Sequence, residues 1–255
     1  MELFAEIILY FIIFIFGISI GSFLNVVIWR VSNKISFVKG RSCCPICNHQ
    51  IKNYDLIPVL SFLFLGGKCR SCKSKISIRY PLIELAVGLL YVFSFYILGF
   101  TLDAILVCTV VSIFVCVTMV DFDTMEIPDG FNLALIIPAI AAISIIPDIS
   151  VTARVIGFFV VSVPMFLIGW LTGGFGGGDM KFIAVCGFLL GWQNVLVATF
   201  IALILGAIVG VYLKATHKIE NKQPIPFGPY LCAGVYIAIL FGNQLVDLYL
   251  SLFQY

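Results

Sequence analysis

Long apolar runs recur along this 255-residue chain and restrict its fold more than any other feature. They fall at roughly residues 3–29, 82–100, 104–120, 131–146, 155–171, 182–192, 195–213 and 230–250. A helix needs about 20 such residues to cross a bilayer, and most of the runs approach that length; the sixth is short. Composition agrees, with 62% hydrophobic and 11% charged residues, whereas soluble domains carry about 25% charged. The runs are continuous and do not alternate, which argues against a membrane β-barrel. The pattern specifies an all-α polytopic membrane protein of about eight transmembrane helices with a small polar loop domain.

Charge orients the chain. Ten of the fifteen Lys and Arg lie within residues 30–79, where Asp55 is the single acid. Glu2 and Glu6 stand at the start of the first run and Arg30 follows it. These flanks are the reverse of a signal peptide, so the run reads as a retained helix with its N-terminus outside. Eight crossings then place fourteen of fifteen cations, Lys181, Lys214, Lys218 and Lys222 among them, on the cytoplasmic side. Arg154 alone falls outside. The chain divides into a first transmembrane helix (1–30), a cytoplasmic loop (31–81) and a larger helical membrane domain (82–255).

The loop carries Cys44-Pro-Ile-Cys47 and Cys69-Arg-Ser-Cys72, separated by twenty-one residues. Paired Cys-x-x-Cys knuckles at about this separation are a structural zinc signature. Four thiolates close a tetrahedral site and leave no open position for catalysis. Metal binding would supply folding energy that so small a loop lacks. Two disulfides are the competing reading, disfavoured in a reducing cytoplasm. Cys43 stands beside the first knuckle and could compete as a ligand. Cys108, Cys116, Cys186 and Cys232 read as small apolar packing residues. Topology and anionic lipid explain the loop's basic residues. The loop has no extended aromatic stacking surface, so nucleic acid is not an expected partner.

Two carboxylates stand out. Asp121 follows an apolar run ending Thr118-Met-Val120, and Asp179 follows Gly173-Gly-Phe-Gly-Gly-Gly. A charge at membrane depth costs roughly 2.5–3.5 kcal/mol even on a lenient scale, so function is its default explanation. Asp123 and Glu126 lie further into the loop, and Asp129, after Pro128, reads as an N-cap of the next helix. Two aspartates sharing a site can hold one proton between them. One can then take a proton from water while the other protonates a departing amide, which is aspartyl peptidase chemistry. The glycines before Asp179 would let backbone approach backbone. An ion- or proton-coupled transporter also uses paired intramembrane acids, although no internal repeat of the transporter kind is visible.

The motifs resemble those of the bacterial type IV prepilin peptidases, bifunctional leader peptidases and N-methyltransferases. The resemblance rests on Gly21-Ser-Phe-Leu-Asn25-Val-Val-Ile-Trp-Arg30, both cysteine knuckles, and Ile78-Arg-Tyr-Pro81-Leu-Ile-Glu84. It continues through Asp121 to Asp129, Gly176-Gly-Gly-Asp179 with Lys181, and Ile225-Pro-Phe-Gly-Pro229. It implies that Asp121 and Asp179 are the catalytic pair and that Cys44, Cys47, Cys69 and Cys72 hold structural zinc. It further implies a prepilin or pseudopilin substrate whose short basic leader is cut after a glycine, usually before phenylalanine, at the cytoplasmic face of the plasma (inner) membrane. The new N-terminus would then be methylated from S-adenosylmethionine. Glu84 is a candidate for the methyl-transfer site, and a helix-start carboxylate is its plainer reading. Cys43 and Phe175 depart from the family pattern. A peptidase without methylation stays open at this point.

Overall fold

The computed structural model describes residues 2–36, 41–174, 176–216 and 225–252. Phe175, Lys218 and Lys222, which entered the sequence reading, lie outside the described residues. The helices are α1 (Glu2–Ser32), α2 (Leu60–Phe64), α3 (Arg79–Leu98), α4 (Leu102–Thr124), α5 (Asp129–Ile145), α6 (Val151–Val160), α7 (Ser162–Thr172), α8 (Gly177–Ala215) and α9 (Gly228–Ser251). Among the described residues there is no strand, only two isolated bridges in the cysteine loop. The chain forms two compact units, Met1–Ala104 and Ile105–Tyr255. In the first, α1 packs along α3; in the second, α8 packs against α5, α6 and α9.

Among the described residues, six spans are long and apolar enough to cross a bilayer, and α5 is a shorter apolar helix. The expected count of about eight is therefore met only roughly, and α8 accounts for part of the difference. Its 39 residues join the sixth and seventh apolar runs, but Gly191 interrupts the helix at φ 77° and ψ 170°. Only glycine adopts such a backbone without strain. The two limbs of α8 run in opposite directions, as their neighbours show. Along the second limb, Asn194 meets Gly242, Ala198 and Ala202 meet Gly234, and Gly206 meets Tyr230. The second limb thus runs back toward the N-terminus of α9, the end where Gly228 touches Asp121. Asp179, at the start of the first limb, feels the Asp121 charge at that same end. The first limb, residues 177–190, is about 21 Å long at 1.5 Å per residue. That is less than the roughly 30 Å hydrocarbon thickness, which explains why this run reads as short.

The core of the second unit is built around that limb. Phe182, Ile183 and Cys186 are fully buried with Leu135 of α5 and Leu231 of α9. Phe114 of α4 packs edge-on against Phe182 at 5.5 Å. Large apolar side chains such as Phe166, Trp170 and Leu171 face outward, as expected where the solvent is lipid.

Arg154 solves a backbone problem at the opposite end from the aspartates. It is completely buried. Its guanidinium donates to the carbonyls of Ala142 and Ile146 at 2.8 Å, Leu189 at 2.7 Å, and Phe188 and Ile149 at 3.3 Å. Ile146, Phe188 and Leu189 stand at the C-terminal ends of α5 and of the first limb of α8, where carbonyls lose helical partners, Ile149 lies in the turn before α6, and the Ala142 carbonyl also accepts the Ile146 N–H. The cation that the topology leaves outside is thus a cap shared between helix ends.

Candidate active site and metal centre

Asp121 lies in the last turn of α4 and is buried, 3% exposed. Its Oδ2 accepts the backbone N–H of Gly228 at 2.8 Å. Gly228 opens α9, with Pro229 directly behind it; proline suits a first turn because its missing N–H would be unpaired there anyway. A Cβ at position 228 would stand 2.8 Å from Asp121 Oδ2, so glycine permits the contact.

Asp179 enters from the first turn of α8, whose N-cap is Gly176. Its carboxylate turns back to the Gly176 backbone N–H, and it lies close enough to Asp121 for the two charges to interact. Cys232, one turn into α9, lies within reach of both carboxylates and of the Thr118 side chain. The site thus brings together the end of α4 and the beginnings of α8 and α9.

Of the glycines before Asp179, Gly178 makes the close backbone approach expected of the stretch. A Cβ there would meet the Ile127 carbonyl at 2.8 Å, whereas Gly173 and Gly177 have open space around them. The segment after Asp121 therefore lies directly on the start of α8. Asp129 differs from its reading as an N-cap: Pro128 holds that position and makes no side-chain cap bond. The Asp129 carboxylate instead receives Lys181 Nζ at 2.8 and 2.9 Å, linking α5 to α8. Asp123 and Glu126 stay exposed.

In the first unit the two knuckles fold alike, offset by twenty-five residues. Cys44 N–H donates to His49 and Cys69 N–H to Ser74, at 3.0 and 2.8 Å. Asn48 N–H returns to Cys44 and Lys73 N–H to Cys69, at 2.9 and 3.0 Å. Asn48 and Lys73 both take left-handed backbone, φ 54° and 60°, and the bridges Cys43–Gln50 and Lys68–Lys75 close the two turns. This small repeat escaped the sequence reading, and its signal was the shared Cys-x-x-Cys-x-x-x-Ile spacing.

The four thiols of Cys44, Cys47, Cys69 and Cys72 lie within 4.8 Å of one another. Thiolates about 2.3 Å from one tetrahedral zinc would be about 3.8 Å apart, and Cys44 Sγ and Cys72 Sγ are separated by 3.8 Å. The donor set and its spacing fit zinc. The Cys44 thiol is pulled down to about 6, chiefly by the backbone N–H groups of Cys47 and Ile46. Cys43 lies outside the cluster. Arg70, inside the second knuckle, forks onto Asp55 at 2.6 and 2.9 Å and stacks over Tyr54. Glu84 is buried on α3, where its Oε2 accepts the Val59 N–H at 2.7 Å.

Two neighbouring aspartates at helix ends and a four-cysteine loop between the first long helices mark this chain as a polytopic membrane protein with a buried acidic pair. Comparison with known proteins supplies the class, a membrane peptidase. Residues 106–211 match the type IV leader peptidase family, and residues 15–98 match the bacterial peptidase A24 N-terminal domain. A prepilin leader peptidase/N-methyltransferase of Bacillus subtilis (strain 168) is 34% identical over 243 residues, covering 94% of this chain and 98% of that protein. Proteins of the same description from Aeromonas hydrophila and Pseudomonas aeruginosa are 36% and 33% identical, covering 96% and 92% of this chain and 95% and 91% of their own. No solved structure matches the chain significantly. The chain belongs to the type IV leader peptidase family.

Proposed function

We propose that this chain is a prepilin leader peptidase and N-methyltransferase of the plasma (inner) membrane, with Asp121 and Asp179 as its hydrolytic pair. The observation that carries the reading is the meeting of these two carboxylates, from different helices, at the ends of membrane segments. One carboxylate takes a proton from water as the water oxygen attacks the scissile carbonyl carbon. The other gives a proton to the departing amide nitrogen, the C–N bond breaks, and no covalent enzyme intermediate is needed. Backbone N–H groups of Gly228 and Gly176 hold the carboxylates in place.

The substrate is a prepilin or pseudopilin whose basic leader is drawn to these acids. Its apolar helix stays in lipid while the leader is cut at the cytoplasmic face, the side assigned by the cation-rich loop. The second activity uses S-adenosylmethionine, which supplies an electrophilic methyl group to the new N-terminal amine. Glu84 belongs to this methyl-transfer half, where it ties the cysteine loop to α3. Cys44, Cys47, Cys69 and Cys72 would hold zinc with four thiolates, a closed sphere that folds the loop and leaves hydrolysis to the aspartates.

Leader cleavage by Asp121→Asn and Asp179→Asn in isolated membranes tests the assignment. Both should insert normally and fail to cut a prepilin that wild type cuts. Retained cleavage in either variant would remove that residue from the chemistry.

A further inference from the structure

The cysteine loop turns apolar side chains outward on its one short helix. Leu60, Leu63 and Phe64 sit three and four residues apart on one face of α2, and Ile57 lies just before them. All four are exposed, Phe64 at 86% and Leu63 at 65%. The other face turns inward: Ser61, Phe62 and Leu65 line the space under the loop, and the Phe62 ring covers Gly67. Gly66 and Gly67, both at positive φ, follow the helix directly. A loop with so small a core would gain by burying large apolar groups, yet it faces these away from itself.

The position of α2 is fixed against membrane helices. The Val59 N–H, just before it, donates to Glu84 Oε2 of α3 at 2.7 Å. Glu84 lies inside the apolar run 82–100, and its backbone meets Gly21 of α1. Gly21 in turn stands eight residues short of Trp29, where the first apolar run ends, about 12 Å along the helix. The start of α2 is therefore held at the edge of the hydrocarbon and not out in the cytoplasm. Val59 takes φ 59° and ψ −52°, which a β-branched residue adopts only under constraint, so the direction of the helix is imposed. Ile78 and Leu82, at the entry of α3, are exposed as well and carry the same apolar surface onto the membrane span.

We infer that the outer face of α2 lies in the headgroup–acyl boundary of an anionic leaflet. The cysteine loop is then anchored to the bilayer by Ile57, Leu60, Leu63 and Phe64 as well as by its two ends. The inference rests on the membrane fold and on neither proposed activity. Charge selects the occupant. Residues 30–79 hold ten cations and one acid, Asp55, and that acid is held by Arg70. Exposed Lys52 and Lys68 stand on either side of α2. Anionic lipid is attracted to such a surface, whereas the basic leader of a substrate, or a second copy of the same loop, is repelled. Interfacial helices bury their apolar face about 5–10 Å into this boundary, a depth compatible with the tie to Glu84.

The test uses the full-length protein with Trp29, Trp170 and Trp192 replaced by Phe and one reporter, Phe64→Trp, in vesicles of phosphatidylcholine and phosphatidylglycerol. Lipids brominated on the upper acyl chain should quench this reporter strongly and should barely quench Phe62→Trp on the inner face. In phosphatidylcholine alone the quenching of Phe64→Trp should weaken. Leu63→Trp repeats the reading from the neighbouring position, and a melting temperature equal to that of the tryptophan-free parent checks that each reporter folds. Water-like emission without quenching at both outer positions would overturn the anchor. So would a shielded reporter that lipid fails to quench, because protein would then cover the face. Equal quenching with and without phosphatidylglycerol would overturn the choice of an anionic leaflet.

Discussion

The backbone N–H of Gly228 donates to Oδ2 of Asp121 over 2.8 Å, across 107 residues of sequence. The start of the last helix thereby fixes one of the two proposed catalytic carboxylates. Gly228→Ala places a methyl group on that oxygen and should cut the initial rate of leader cleavage about 100-fold, the scale of a small misplacement near the chemistry. Protein level and zinc content should stay at wild-type values.

Lys181 and Asp129 should act as a brace. Their pairing is exposed, so its stability contribution is about 0–1 kcal/mol. Yet it clamps the start of α5 to α8 two residues from Asp179. Lys181→Ala should lower cleavage while leaving the melting temperature nearly unchanged. The exchanged pair Asp129→Lys with Lys181→Asp should recover part of the lost rate, which a lysine acting directly on substrate would not allow.

Arg154 should matter for folding and little for chemistry. Its replacement by leucine removes five hydrogen bonds to carbonyls, of which only that of Ala142 is seen to keep another donor, the Ile146 N–H. Each buried unpaired group costs about 1–3 kcal/mol. Arg154→Leu should show a large fall in melting temperature in detergent, and the fraction that folds should keep its cleavage rate.

Cys44→Ser removes the buried member of the thiol cluster. Elemental analysis should find wild type with one zinc per chain and the variant with much less. Methylation should suffer more than cleavage, because the aspartate pair draws no residue from the cysteine loop.

Asp55 supplies a pH dependence with a definite sign. The Arg70 fork holds its carboxyl below the usual range. A carboxyl depressed by folding stabilises above its unfolded value, about 3.9, and that contribution fades as pH falls through the folded value. At neutral pH the loop of Asp55→Asn should melt at a lower temperature than wild type, and the gap should close below about pH 3.9.

Much of the fold was legible because membrane helices advertise themselves by length and composition. The eight apolar runs all became helices, and the cysteine spacing anticipated the thiol cluster. What hydropathy could not convey was direction: Gly191 reverses α8 by one backbone conformation, invisible to a hydropathy window. The site was legible as residue types, since isolated acids at membrane depth stand out. Their supports were not. The motif around Pro226 and Gly228 gives no hint that its N–H reaches Asp121, because a contact 107 residues away leaves no local pattern. Asp129 misled for a related reason, because a residue suited to capping one helix was spent on a lysine of another. Arg154, apparently a breach of the charge rule, is explained by buried carbonyls that only the folded chain brings together.

The most direct test of the whole account is mass spectrometry of a prepilin incubated with this protein in lipid, with and without S-adenosylmethionine. The account predicts loss of the leader in both reactions and one added methyl group only where the donor is present. A prepilin left intact, across several candidate substrates, would contradict the peptidase assignment, and a trimmed product that never gains a methyl would contradict the second activity.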